Sequence, residues 1–245
     1  MYLRFLYGMV LVAIAVAGCT PLGDGALRKD AAGEEVVREG ESREKENDDP
    51  GTGLIDPATG GIVRSYGPII KRYASHYGLD WRLVLATMKQ ESQFTPGARS
   101  RRGAAGLMQI MPTTGEELAK ELEVGDISNP RDNIRGGVLY LRRLYDLFPG
   151  AAEADRMKLA LAAYNAGIGR IYDAQELAAY LHMDPLAWES IRDVLPLLSR
   201  RHSVLHQSVW DQDRPRTGWF RNPGETLKYV ESVMNNYDEY RLMFN

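Results

Sequence analysis

From Tyr66 to the end of the chain, apolar side chains recur at spacings of three and four residues, and strand-like alternation is nearly absent. A polypeptide with that period buries stripes of helices rather than faces of a sheet, so the expected fold class is mainly α. Ile69, Ile70, Tyr73 and Tyr77 mark one helix. Asp80 is placed to cap a second, which runs through Leu83, Val84, Thr87 and Met88 toward a stop at Pro96. Pro130, at a first-turn position, opens a helix with Ile134, Val138, Leu141 and Tyr145 on one face, ending near Pro149. Met157, Ala160, Leu161 and Tyr164 form the apolar face of another, with Gly167 suited to the residue after its end, and Leu227, Val230, Met234 and Tyr237 mark the last. Only the glycine-containing stretch from Arg99 to Gln109 could form a small β-hairpin.

The first quarter of the chain has a different character. Arg4 is followed by an apolar run from Phe5 to Ala17, the length of a signal-peptide core and short for a membrane span. It ends in Val16-Ala17-Gly18-Cys19, which resembles the lipobox of bacterial lipoproteins, so residues 1–18 are expected to be an export signal and Cys19 the lipidated mature N-terminus. Cys19 is the sole cysteine, which excludes an internal disulfide and a cysteine metal site. Between Thr20 and Ile62 there are eight glycines and no aromatic residue, and 11 acidic side chains against five basic ones give a balance of −6. Such a segment cannot bury enough apolar surface to offset its ordering entropy, and residues 19–62 are expected to be a lipidated, flexible acidic linker. The remaining 63–245 is long enough for one compact domain with a real core. The whole chain carries −3, but without the linker and Arg4 the balance is +2, which gives no reason to expect a nucleic-acid partner.

Glu91 interrupts the apolar stripe of the second helix. At about 100° per residue, Leu83, Val84, Thr87, Met88 and Phe94 fall within roughly 140° of arc, and Glu91 lies among them. Burial there and the negative end of the helix dipole both disfavour the carboxylate, so its pKa is expected to be raised. A carboxyl group still protonated near neutral pH is a reagent for protonating a leaving-group oxygen.

Four motifs follow in order over roughly 140 residues: Glu91-Ser92-Gln93-Phe94, Gly106-Leu107-Met108-Gln109-Ile110-Met111-Pro112, Ala163-Tyr164-Asn165-Ala166-Gly167 and Glu225-Thr226-Leu227-Lys228-Tyr229-Val230. This series resembles the catalytic domain of the soluble-lytic-transglycosylase type, goose-lysozyme-like enzymes that cleave bacterial peptidoglycan. The resemblance implies a lysozyme-like helical domain. It implies that Glu91 protonates the oxygen between N-acetylmuramic acid and N-acetylglucosamine, then accepts the proton of the muramoyl C6 hydroxyl as a 1,6-anhydro ring closes. It further implies that the Ser92 and Tyr164 hydroxyls hold Glu91 and the sugar in register and that Gln109 and Asn165 contact acetamido and hydroxyl groups of the glycan. Met108 and Glu225 are counted with these substrate-binding residues, Met108 as an apolar floor and Glu225 either as a sugar contact or as a favourable charge at the start of the last helix. The partner is then the peptidoglycan glycan strand. No cofactor or metal is called for, and protein partners are not specified. Cys19 followed by Thr20 implies attachment to the outer membrane, facing the periplasm. Residues 168–224 exceed the usual connection and resemble a lobe of the membrane-bound F-type branch. That branch carries an additional solute-binding-like domain ahead of the catalytic one, where this sequence has the acidic linker, so regulation by such a domain is not carried over. A hydrolytic muramidase or chitinase on the same scaffold, and a peptidoglycan-binding lipoprotein without activity, are the alternatives. Three tryptophans in the lobe, Trp188, Trp210 and Trp219, could stack on sugars, although Trp188 is read as core.

Overall fold

The structure is a computed structural model that describes residues 56–244. The export signal, Cys19 and the linker as far as Ile55 lie outside the described residues. Among the described residues nine α-helices follow in order: α1 (Pro57–His76), α2 (Trp81–Ser92), α3 (Pro112–Glu121), α4 (Pro130–Asp146), α5 (Glu153–Ala166), α6 (Ile168–Tyr180), α7 (Trp188–Val194), α8 (Ser203–Trp210) and α9 (Pro223–Met243). Two short 3₁₀ turns, Leu195–Leu198 and Arg200–His202, link α7 to α8. The mainly α expectation holds.

The central helix is α2. Its N-terminus is capped as the sequence suggests, with the Asp80 carboxylate accepting from the Arg82 N–H at 2.9 Å. Every residue from Leu83 to Met88 is buried, including Leu85 and Ala86, which fall outside the expected stripe. A helix covered all round needs neighbours on more than one side. It has them in α9 and α1, which both pack on it, and α5 in turn lies against α4, α6 and α9.

Helix α1 starts at Pro57, so residues 57–62, read from the sequence as the end of the linker, are helical. The reason is local capping combined with a long-range contact. The Asp56 side chain accepts from Thr59 N at 3.0 Å, Pro57 pre-sets the first turn, and the fully buried Thr59 hydroxyl lies 3.2 Å from the Tyr240 hydroxyl of α9. Gly60 and Gly61 lower local helix propensity, but the contacts of Thr59 and Ile62 outweigh it.

The Arg99–Gln109 stretch forms two isolated antiparallel bridges, Arg99 with Ala105 and Ala105 with Ile110, so the hairpin is rudimentary. It is pinned from α4 by Asn133, 1% exposed. The Asn133 Oδ1 accepts from Met108 N at 2.8 Å, and its Nδ2 donates to the carbonyls of Ala105 at 3.0 Å and Ile127 at 3.2 Å. Pro130 and Gly167 stand where the sequence puts them, at the first turn of α4 and after the end of α5, the latter with φ +87°. The 168–224 stretch is built mainly of α6, α7 and α8, with Trp188 and Trp210 buried in it.

Candidate active site

Glu91 occupies the last turn of α2, where the chain turns away through left-handed conformations at Gln93 (φ 48°) and Phe94 (φ 60°). Phe94 is buried after the turn, which anchors the end of the helix and fixes the direction of the preceding side chains. The Glu91 carboxyl is largely enclosed by protein without being sealed from solvent. The Tyr229 hydroxyl of α9 donates to its Oε1 at 2.6 Å. Burial pushes the carboxyl from an ordinary value of 4.5 up to about 7, and the hydrogen bond from Tyr229, which favours the charged form, only partly opposes this. Neither a cation nor a second carboxylate contributes to the shift.

Tyr164 and Tyr229 frame this group, and both hydroxyls are held far above their usual pKa, first by burial and next by the Glu91 charge. They are therefore neutral donors at any pH at which the protein works. Tyr164 donates not to Glu91 but to the Met108 carbonyl at 2.7 Å, and its ring packs on Tyr140 with centroids 5.3 Å apart. At the next turn of α9 toward its start, the Thr226 hydroxyl donates to Asn165 Oδ1 at 2.7 Å. That bond leaves the Asn165 amide hydrogens free to face outward.

The other residues expected at the site divide. Asn165 and Glu225 are exposed on the wall of a cavity of about 620 Å³ that also includes Thr226. Gln109, at φ 45°, donates its amide to the carbonyls of Ala98 (3.1 Å) and Gly106 (2.8 Å), so both its hydrogens are committed and only Oε1 remains for a ligand. The hydroxyl bonds expected from Ser92 and Tyr164 to Glu91 are not made, and Met108 lies deeper than the residues of the opening. Ser92 donates back along its own helix to Met88 O at 3.1 Å instead of to Glu91, because a serine in a helical turn finds the carbonyl four residues earlier closest to hand. Met108 is fully buried, and its side chain fills the space above Gly137, where an added Cβ would lie 2.5 Å from its Cγ. It therefore supports the wall through its backbone and does not reach the opening.

Sequence reasoning misses Tyr229 as a partner of Glu91, although it lies inside the fourth motif. Periodicity assigns Leu227, Val230, Met234 and Tyr237 as the buried face of α9, yet Thr226, Tyr229, Val233 and Tyr240 form a second, more deeply buried face. The hydroxyls on that second stripe are the signal of a polar site inside the core. A separate cavity of about 850 Å³ lies along the first stripe between α5, α7 and α9 and includes neither Glu91 nor Tyr229.

Replacing Tyr229 with Phe removes the one interaction that favours ionised Glu91. The Glu91 pKa is expected to rise further, by an amount on the order of one unit, moving the alkaline limb of any Glu91-dependent pH profile upward. Titration of the Glu91 carboxyl by NMR in both proteins checks this, and an unmoved or lowered value would count against it.

The site is thus a single enclosed carboxyl between two neutral tyrosines on a helical scaffold. Residues 68–182 match the family model of the transglycosylase SLT domain. The chain is 36% identical over 170 residues to a membrane-bound lytic murein transglycosylase F of Desulfosudis oleivorans, with 69% of this chain and 35% of the relative covered. It is 35% identical over 175 residues to the protein of the same name in Shewanella oneidensis, with 69% and 34% covered. The chain thus spans about a third of the length of these curated relatives. Among solved structures it resembles an inactive mutant of lytic transglycosylase Slt from Pseudomonas aeruginosa, with a TM-score of 0.52, 29% identity, and 72% of this chain and 24% of that one covered. It also resembles the 70 kDa soluble lytic transglycosylase of Escherichia coli, with a TM-score of 0.51, 25% identity, and 74% and 24% covered. Residues 68–182 are therefore a transglycosylase SLT domain, and the lysozyme-like helical fold is that of this family. The matched region runs through α6, so the first helix of the 168–224 stretch belongs to the shared domain.

Proposed function

We propose that the domain is a peptidoglycan lytic transglycosylase, cleaving the β-1,4 bond between N-acetylmuramic acid and N-acetylglucosamine to leave a 1,6-anhydro-muramoyl end. The observation that carries this reading is the enclosure of Glu91 beside the Tyr229 hydroxyl, 2.6 Å from its Oε1, with no second carboxylate against it, a setting that raises its pKa to about 7. A protonated Glu91 donates to the glycosidic oxygen as the bond to the anomeric carbon breaks. The 2-acetamido group of the substrate stabilises the charge that develops there, so no protein nucleophile is needed. Glu91, now ionised and accepting from Tyr229, takes the proton of the muramoyl C6 hydroxyl as that oxygen closes on the anomeric carbon. The same group serves as acid and then as base, and a pKa near neutrality suits both steps. Asn165, Gln109 Oε1 and Glu225 are placed to contact sugar hydroxyl and acetamido groups, while Ser92, Met108 and Tyr164 shape the wall behind them.

Mass spectrometry of products from purified sacculi tests the assignment. Products lighter by one water than reducing-end muropeptides are expected. Reducing ends would indicate a hydrolytic muramidase, and binding without any product a peptidoglycan-binding lipoprotein.

For location, the lipobox-like Val16-Ala17-Gly18-Cys19 and relatives named membrane-bound support lipid attachment at Cys19 to the outer membrane, facing the periplasm. Two or more acyl chains give stable anchoring. Cys19→Ala is expected to shift the protein from the membrane pellet to the soluble periplasmic fraction or to leave it unprocessed. Unchanged processing and partitioning on cell fractionation would remove the lipid anchor from the account.

A further inference from the structure

We infer that the cavity between the end of α1 and the start of α4 is a docking surface for the phosphates of anionic phospholipid headgroups. The choice of a membrane over a dissolved phosphate rests on the lipid attachment proposed above. The cavity measures about 570 Å³ and collects Arg72 and His76 from α1 and Arg131 and Arg135 from α4. Each pair is spaced i, i+4, so its members stand on one face of their helix. No carboxylate lines the cavity, and among the described residues none of the three arginines is within ion-pair distance of one. Three guanidiniums gathered without a counter-charge make a local positive field that an anionic surface offsets.

Two of these charges are held in place. The Tyr73 hydroxyl lies against Arg131 and raises that guanidinium's pKa above its usual value, with a smaller contribution from the Asp132 charge. The ring of the same tyrosine lies 5.9 Å from the Arg135 guanidinium carbon, and Arg135 also donates to Leu122 O at 3.3 Å. Asp132 is occupied at the start of α4, where it accepts from Asn129 Nδ2 at 2.6 Å. A guanidinium fixed in this way loses little entropy on meeting a phosphate and presents a planar fork to it. Tyr73 and Tyr77, both half-buried, complete the wall, each with an apolar ring and a polar tip, as suits a boundary between lipid and water.

The active-site loop lies on the other side of α4. Asn133 holds Met108 N and Ala105 O there, and Gly137 makes room for the Met108 side chain, whose carbonyl in turn anchors Tyr164 beside Glu91. At about 100° per residue, Arg131 and Arg135 stand roughly 140–180° around the helix from the mean direction of Asn133 and Gly137. A membrane that meets the arginines therefore leaves the opening beside Glu91 facing away from it. A few charges give only a weak, salt-sensitive contact, so the patch sets orientation while the acyl chains supply retention.

The test uses the chain from residue 19 onward with Cys19→Ala, so that neither an acyl chain nor the export segment contributes to binding. Co-sedimentation at low ionic strength gives its partition onto vesicles of phosphatidylcholine alone and of equal parts phosphatidylcholine and phosphatidylglycerol. The anionic vesicles should bind it about tenfold or more strongly than the neutral ones, and added salt should abolish the difference. Adding Arg72→Gln/Arg131→Gln, both exposed positions, with circular dichroism to verify folding, should cost about tenfold of this binding. Arg192→Gln/Arg241→Gln removes the same charge from the cavity between α5, α7 and α9 and should cost less than about threefold. Arg72→Lys/Arg131→Lys keeps the charge and should stay within about threefold of the parent, an outcome that a purely structural role of the guanidiniums would not give. Equal binding to the two kinds of vesicle, or equal losses in the two glutamine pairs, overturns the proposal. So does vesicle binding that is undiminished in Arg72→Gln/Arg131→Gln while binding to purified sacculi falls, which assigns the patch to the wall. With no acyl chain present and no cleavage measured, these outcomes stand apart from failure of the lipid anchor or of the activity.

Discussion

Glu91→Gln is expected to reduce glycan cleavage by about a thousandfold or more, since the amide can neither donate the first proton nor accept the second, and each proton transfer is worth about 10²–10⁴. The fold should survive. The substituted amide would retain an Oε1 acceptor for the Tyr229 hydroxyl, now 2.6 Å from the carboxyl, and would place no charge in the enclosed position. Stability should improve at the right pH. Raising the folded pKa from 4.5 to about 7 means that the folded protein binds the extra proton between those values. The contribution of Glu91 is thus fully present below pH 4.5 and lost as pH rises toward 7, a swing on the order of 3 kcal/mol for a shift of this size. Above pH 7 the glutamine variant should therefore match or exceed wild type in thermal melts, while at pH 4 the two should converge. Wild-type activity should fall on the alkaline side of about 7 as Glu91 ionises. A variant that retains activity within a few-fold of wild type would remove Glu91 from the chemistry. One that melts well below wild type at pH 8 would mark it as a paired structural carboxylate.

The features legible in the sequence are those set by local chemistry. Asp80 caps α2, Pro130 opens α4 and Gly167 follows α5 because capping and backbone restriction depend on a few consecutive residues. The raised pKa of Glu91 follows from its place in an apolar stripe, and burial is the main cause in the structure. What escapes depends on residues far apart in the chain. The hydroxyl on Glu91 comes from Tyr229, 138 residues away, while nearby Ser92 bonds its own helix. Periodicity reports one buried face well, but α2 and α9 are each buried on more than one, and the second face of α9 carries the site. The beginning of α1 is hidden for a similar reason. Its glycines and flanking charges read as linker, and the Asp56 cap and Pro57 outweigh them only together with the Thr59–Tyr240 contact, made across 181 residues of chain.

Gly106→Ala should unfold or severely weaken the domain, although the site is a loop and the change adds one methyl group. Gly106 has φ +81°, a left-handed conformation that costs a residue with a Cβ roughly 1–2 kcal/mol. The larger cost is steric. The new Cβ would lie 2.4 Å from both Cγ and Nδ2 of Asn133 and 2.5 Å from its Oδ1. Asn133 cannot withdraw without releasing Met108 N, Ala105 O and Ile127 O, all of which it holds from a fully packed position. Each buried polar group left unpaired costs about 1–3 kcal/mol, so a loss of about 4 kcal/mol or more is expected from a total stability that is ordinarily only about 5–15 kcal/mol. Function should fail with it, because the Met108 carbonyl on the same loop anchors the Tyr164 hydroxyl beside Glu91. Gly97→Ala is the control: an added Cβ there meets nothing within 4 Å, and its stability should stay within about 0.5 kcal/mol of wild type. Urea unfolding of the two variants decides the matter. A Gly106→Ala domain within about 1 kcal/mol of wild type would show that the loop yields easily and that Asn133 is not the post on which this wall of the site is hung.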